Sequence, residues 1–159
     1  MSMSKTNHGL CIFVENEFGV IQRVTNLFSA RGISINSIHT QPVDIKTNVS
    51  QISITLSENR DKVNLLQKLL MRIIIVHEVY HIDIPTAESV AYTSQVFHVH
   101  DDCLLQAKDM INQYDLTCFN VYSDNRIHCV TGEEKVVESF VRQAKEIPSL
   151  VMVKQYSPF

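Results

Sequence analysis

The sequence predicts an α+β protein made of two βαββαβ units in tandem. Three observations carry that reading. Apolar residues alternate between period 2 and period 3.6 in the order strand, helix, strand, strand, helix, strand. The same order then runs a second time. Between the two runs lies "PTAESVAYTS" (Pro85 to Ser94), small and polar enough to read as a connection. At 159 residues the chain is long enough for two small domains. The expected division is 1–84, a linker over 85–93, and 94–159.

The elements follow in order. "GLCIFVE" (Gly9 to Glu15) reads as a strand. From Gly19 to Arg31 the period changes: Val20, Ile21, Val24, Leu27 and Phe28 share one helical face, and Gly32 stands where a C-cap is expected. "ISINSIHTQPV" (Ile33 to Val43) is extended, with Pro42 marking its end or an edge position. "VSQISITL" (Val49 to Leu56) alternates cleanly, with Ile52, Ile54 and Leu56 on one face. A helix over about 59–71 carries Val63, Leu66 and Leu70, widened by Leu65 and Leu69. "IIIVHEVYHIDI" (Ile73 to Ile84) is the next strand.

The second run begins with "SQVFHVH" (Ser94 to His100). Asp101 is placed to cap a helix through about Tyr114. "LTCFNVY" and "RIHCVTG" are strands joined by "SDN" (Ser123 to Asn125). Val136, Val137, Phe140, Val141 and Ala144 stripe a helix that Pro148 ends, and "LVMVKQY" closes as a strand. Two βαββαβ units of this order are of the ferredoxin-like type, with helices on one face of an antiparallel sheet. The other face and the sheet edges favour pairing between chains.

Composition narrows the function. Apolar residues make up 45% and charged residues 19%, which suits a soluble globular protein. No apolar run approaches the roughly 20 residues of a membrane span. "MSMSKTNHG" lacks the apolar core of a signal peptide, so a cytoplasmic location is expected. The net charge is −3, distributed as +1 over residues 1–84 and −4 over the rest, with no Lys/Arg cluster. Nucleic-acid binding, which depends on neutralising phosphates, is disfavoured. The four cysteines form no CxxC and are expected to be reduced core residues.

The loop "ENEFG" (Glu15 to Gly19) joins the first strand to the first helix. A helix N-terminus has unpaired N–H groups and a partial positive charge, so it receives a carboxylate without a basic side chain. Gly19 leaves the backbone open to a ligand, and Asn16 offers both a donor and acceptors. That chemistry suits an amino acid. Read alone, though, the loop is first of all a tight turn, because Gly and Asn are common turn residues.

"VENEFGVIQRVTNLFSARGISINSIHTQPV" resembles the N-terminal ACT domain of acetohydroxyacid (acetolactate) synthase small regulatory subunits. The family pattern is Glu-Asn-Glu-x-Gly-x-Leu-x-Arg-Val-x-x-Leu-Phe-x-x-Arg-Gly-x-Asn-Ile-x-Ser. Glu15, Asn16, Glu17, Gly19, Arg23, Val24, Leu27, Phe28, Arg31, Gly32, Ile35 and Ser37 match it. The resemblance is strong from about Gly9 to Ile84; beyond that it rests on length, the second unit and "VTGEEKVVESF".

The resemblance implies a chain with no active site and no cofactor of its own; the incomplete histidine ligand sets give no metal site either. Its partner would be a large catalytic subunit carrying thiamine diphosphate, magnesium and FAD. The chain would activate that subunit and confer feedback inhibition by valine or another branched-chain amino acid. ACT domains pair side by side into an eight-stranded sheet, which implies a homodimer. The effector site implied is Asn16, Glu17, Phe18, Gly19 and Val20 of one chain with Ser34, Ile35 and Asn36 from the partner or across the interface. Ser34 replaces the family's usual asparagine, and "VKQYSPF" stands where an Arg-Thr-Gly segment is often found.

Other readings are open. A stand-alone tandem-ACT amino-acid sensor would serve a different partner. A small ferredoxin-like hydrolase such as an acylphosphatase would need a phosphate cradle, which the acidic Glu15 and Glu17 oppose. His98 with His100, and His77 with His81, are spaced as pairs, but neither gains a third ligand from the sequence, and zinc needs three or four. Glu133 and Glu134 suit the start of a helix.

Overall fold

A computed structural model describes residues 5–44, 48–84, 92–99, 104–114, 116–120, 127–147 and 150–158. The chain divides into two units, 1–88 and 89–158. The first contains β1 (Thr6–Glu15), α1 (Val20–Ser29), β2 (Ser37–Asp44), β3 (Val49–Glu58), α2 (Arg60–Leu70) and β4 (Val76–Asp83). Its sheet runs β2-β3-β1-β4, with every neighbouring pair antiparallel.

Register explains the core. Leu10 faces Ile54 and Ile12 faces Ile52 across β1 and β3, so the alternating apolar residues of both strands share one face. Val20, Val24 and Phe28 of α1 and Val63, Leu66 and Leu70 of α2 close over it. Each such side chain contributes roughly 1.5–3 kcal/mol when fully buried. The helical stripes are narrower than the sequence alone suggests. Ile21 and Leu65 are exposed, outside the stripes that Val20, Val24 and Phe28 and Val63, Leu66 and Leu70 turn to the core.

The helix ends differ in their chemistry. α2 is capped by Asn59, whose Oδ1 accepts from the Lys62 N–H at 2.9 Å. α1 starts from Gly19 at φ +76° with no side-chain cap. At its far end Gly32 takes φ +62°, and the Ile33 N–H reaches back to the Phe28 carbonyl at 3.0 Å. A Cβ on Gly32 would meet nothing within 4 Å, so only the backbone conformation opposes substitution. Gly32→Ala is therefore expected to cost about 1 kcal/mol. Chemical denaturation measures this, and a larger loss would mean a steric role for the glycine.

That C-terminal turn folds Ile33 onto the core, so β2 begins at Ser37, later than the extended run implies. Pro42 lies on β2, an edge strand, at a register shift between Pro42 and Asp44. β4 likewise begins at Val76. Two reversals, Ile73 N–H to Leu70 O and Val76 N–H to Ile73 O, turn the chain out of α2 first.

The second unit repeats the plan. β5 (Tyr92–Val99), α3 (Leu104–Gln113), β6 (Thr117–Asn120), β7 (Ile127–Glu133), α4 (Glu134–Ala144) and β8 (Leu150–Pro158) form a sheet ordered β6-β7-β5-β8. Phe97, Val130, Phe140 and Ala144 anchor its core, with the Phe97 and Phe140 rings 5.6 Å apart. β5 starts two residues early: Tyr92 and Thr93 pair with Glu133 and Gly132, so these two strand-favouring residues belong to the sheet and not to the connection. The rest of the expected linker, 85–91, lies outside the described residues, as do Asp101, Ser123 to Asn125 and Pro148. Cys11 and Cys129 are buried and unbridged, whereas Cys118 is exposed, a correction to its expected core position. It follows Thr117 at the start of β6, an edge strand. Cys103 lies outside the described residues. Among the described residues no helix is long and apolar enough to cross a membrane.

Candidate functional site

The loop between β1 and α1 is held by its backbone. The Glu15 N–H donates to Ile75 O at 2.9 Å, Asn16 N–H to Asn48 O at 2.8 Å and Glu17 N–H to Glu15 O at 2.9 Å. These bonds leave the side chains of residues 16–18 exposed and free to serve a ligand. The Val20 N–H reaches back to Glu17 O at 3.3 Å, and no acidic residue occupies the first turn of α1. The partial positive charge of this helix end is therefore not neutralised by its own side chains.

Beside that helix end is a cavity of about 160 Å³. It is lined by Asn16, Val20, Ile21, Thr40, Gln41, Pro42, Ser50 and Ile52. The floor is the antiparallel pair β2 and β3, where Thr40 faces Ile52 and Pro42 faces Ser50. The wall is the first turn of α1. None of the lining residues carries a charge. The cavity is well below the roughly 300–1,000 Å³ of sites for drug-sized ligands, so it suits a small molecule. It combines hydroxyl and amide groups with an apolar wall. Such a lining fits a small zwitterion: N–H groups for the carboxylate, oxygens for the ammonium, and Val20, Ile21 and Ile52 for an aliphatic side chain.

Of the residues singled out from the sequence, Asn16 and Val20 line this cavity, and Gly19 sets the direction of the helix that walls it. The Gly19 backbone is open, since a Cβ there would meet nothing within 4 Å. Glu17 and Phe18 sit on the same loop with exposed side chains, outside the lining. Ser34, Ile35 and Asn36 lie at the opposite end of the sheet within one chain. Asn36 N–H bonds Thr55 O at 2.8 Å, and its amide donates to Ser57 Oγ, which donates in turn to Asn7 Oδ1. Ile35 packs against the core. Ile21, Thr40, Gln41, Pro42, Ser50 and Ile52 are additions. The signal for them was the sheet order: parallel β1 and β2 flanking β3 bring the end of β2 beside the end of β1.

A larger cavity of about 310 Å³ lies in the second unit, lined by Thr93, the α4 residues Glu134, Val137, Glu138, Val141 and Arg142, and Lys145 just past the end of α4. Its two carboxylates and two cations offset one another, and none of the predicted site residues reaches it.

The AHAS small subunit-like ACT domain model matches residues 10–78, which covers both strands, the helix and the loop that build the small cavity. The first unit is similar to an ACT domain of that kind. The chain as a whole is similar to the acetolactate synthase small subunit of Buchnera aphidicola, 24% identical over 92% of this chain and 91% of that one. It is 25% identical to the acetolactate synthase small subunit of Mycobacterium avium over 88% of this chain and 83% of that one. Among solved structures it is similar to the acetolactate synthase small subunit of Thermotoga maritima, at 22% identity and a TM-score of 0.47, covering 96% of this chain and 92% of that chain. The similarity to these small subunits extends beyond the matched domain into the second unit.

Proposed function

We propose that this chain is the regulatory subunit of an acetolactate synthase, activating a large catalytic subunit and binding a branched-chain amino acid as feedback effector. The observation that carries the role is an ACT domain of this kind in a chain similar to such small subunits over 92% of its length. The uncharged cavity at the uncapped end of α1 supports the effector. The effector carboxylate meets the free N–H groups of the first turn. Its ammonium group faces Asn16, Thr40 and Ser50, and its branched side chain lies against Val20 and Ile52.

The chain acts as a homodimer through its ACT domain. β2 is an edge strand, and antiparallel pairing of two β2 edges sets the start of one beside the end of the other. The partner subunit's Ser34 to Asn36 then come next to this chain's cavity, which reconciles the two halves of the expected site. An effector bound across that seam stabilises one arrangement of the pair. Regulation requires that arrangement to differ in its effect on the catalytic subunit. The thiamine diphosphate, magnesium and FAD belong to that partner.

Reconstitution tests the role. Mixing the chain with the large catalytic subunit is expected to raise acetolactate formation several-fold, and valine, leucine or isoleucine to reverse the gain. No association and no change in rate would overturn the synthase role. Effector binding by the chain combined with no association with the catalytic subunit would instead mark a stand-alone amino-acid sensor.

A further inference from the structure

At the end of the first sheet away from the small cavity, three side chains converge. His8 near the start of β1 faces Asp83 at the end of β4 in the strand register, and His81 lies one pleat away on the same face. His8 Nδ1 is 2.9 Å from His81 Nε2 and 3.5 Å from Asp83 Oδ1; His81 Nε2 is 3.5 Å from that same oxygen. The rings are tilted by 45° with centroids 5.0 Å apart, so they aim nitrogens at one another and do not stack. The two imidazoles are nearly inaccessible, at 1% and 9%, while the carboxylate is 63% exposed.

We propose that His8, His81 and Asp83 form a divalent transition-metal site of the zinc class, which clips the start of β1 to the end of β4. Three features argue for it. First, the donor set is two imidazoles and a carboxylate, the chemistry zinc takes, with one position left for water. Second, the distances fit. Bonds of about 2.0–2.1 Å in a tetrahedron separate ligand atoms by about 3.3–3.4 Å. Two of the three separations already match, and the third opens by about half an ångström, a small rotation of one ring. Third, the outer partners are in place. His8 Nε2 lies 3.0 Å from the Glu58 carbonyl and 2.9 Å from Thr6 Oγ1. A carbonyl only accepts, so the proton sits on Nε2 and the Nδ1 lone pair faces the site.

Without metal, His81 Nε2–H donates to that lone pair. Metal binding needs only the other tautomer of His81, with its proton on Nδ1. Arg60, at the start of α2, holds both oxygens of Asp83 at 2.7 Å and so orients the carboxylate. Oδ1 keeps a second lone pair for the metal. The guanidinium charge opposes a cation, so the site is one of moderate affinity. The fourth position opens on the side of the exposed Asp83.

The test uses the full chain, stripped with a chelator and then titrated with zinc and, separately, with cobalt. The expected result is one zinc retained per chain after dialysis, a higher melting temperature reversed by chelator, and the intense visible bands of four-coordinate cobalt. Asp83→Asn is the decisive variant, because the residue is exposed and its loss leaves the core intact; it is expected to weaken binding at least tenfold. His8→Gln and His81→Gln should abolish the cobalt bands, and His39→Gln should leave them unchanged. A melting temperature indifferent to zinc, or zinc retention in Asp83→Asn and His81→Gln as high as in the unsubstituted chain, would overturn the site and leave a hydrogen-bonded histidine pair.

Discussion

Asn16→Ala is expected to remove about half or more of the thermal stabilisation that a branched-chain amino acid confers on the protein, while leaving the unliganded protein as stable as before. The second half follows from the geometry. Asn16 is exposed, and the bond it makes into the fold uses its backbone N–H, donated to Asn48 O, which alanine keeps. The first half follows from the cavity, where Asn16 supplies an amide beside the α1 N-terminus. A hydrogen bond to a charged group contributes about 1.5–3 kcal/mol, which corresponds to roughly tenfold to a hundredfold in affinity. A ligand at 100 times its dissociation constant stabilises the native state by about 2.7 kcal/mol, and a tenfold weaker one by about 1.4 kcal/mol. For a chain of this size each kcal/mol moves the melting temperature by roughly 2–4 °C. Thermal-shift titration with valine, leucine, isoleucine and unbranched amino acids reads both the affinity and the effector's identity. Glu17→Ala is the control, since its side chain lies outside the lining; an equal loss in both variants would place the ligand on the loop and not in the cavity.

Phe28→Ala should reduce unfolding free energy by about 3–5 kcal/mol. Phe28 is fully buried, closes the last turn of α1 over the first core, and receives the Ile33 N–H on its carbonyl. Its ring has no polar atom, so the whole effect is lost burial plus the void left behind. A native domain has only about 5–15 kcal/mol to lose, so the variant sits near the edge of folding. Urea denaturation measures it. A loss under about 1 kcal/mol would mean that α1 is not docked as described, and the cavity at its other end would fall with it.

These two positions also mark what was readable in advance. Phe28 was legible as core because it completes a helical stripe with Val20 and Val24. Ile21 belonged to the same pattern and proved exposed, because periodicity gives a direction around the helix but not how wide a stripe its neighbours cover. The turn at Asn16 to Gly19 was legible because strand, loop and helix are contiguous there. Thr40, Pro42, Ser50 and Ile52 were not, since nothing local marks a serine or threonine on a strand as facing a cavity. His81 was noted beside His77, its neighbour in sequence, whereas its partner in space is His8, 73 residues away.

The sequence by itself determined the two-fold βαββαβ plan, the polarity of the first strand-to-helix turn, the glycine that ends α1 and the likeness to an ACT domain. Each is written in consecutive residues, where periods of 2 and 3.6 and the special backbone freedom of glycine act locally. The tertiary structure alone decided which residues meet. Antiparallel pairing placed the end of β2 against the α1 N-terminus to enclose the small cavity, and placed His8 opposite Asp83 to gather three metal-binding groups. Strand register is a collective outcome of burying Leu10, Ile12, Ile52 and Ile54 on one face, and no single residue along the chain encodes it.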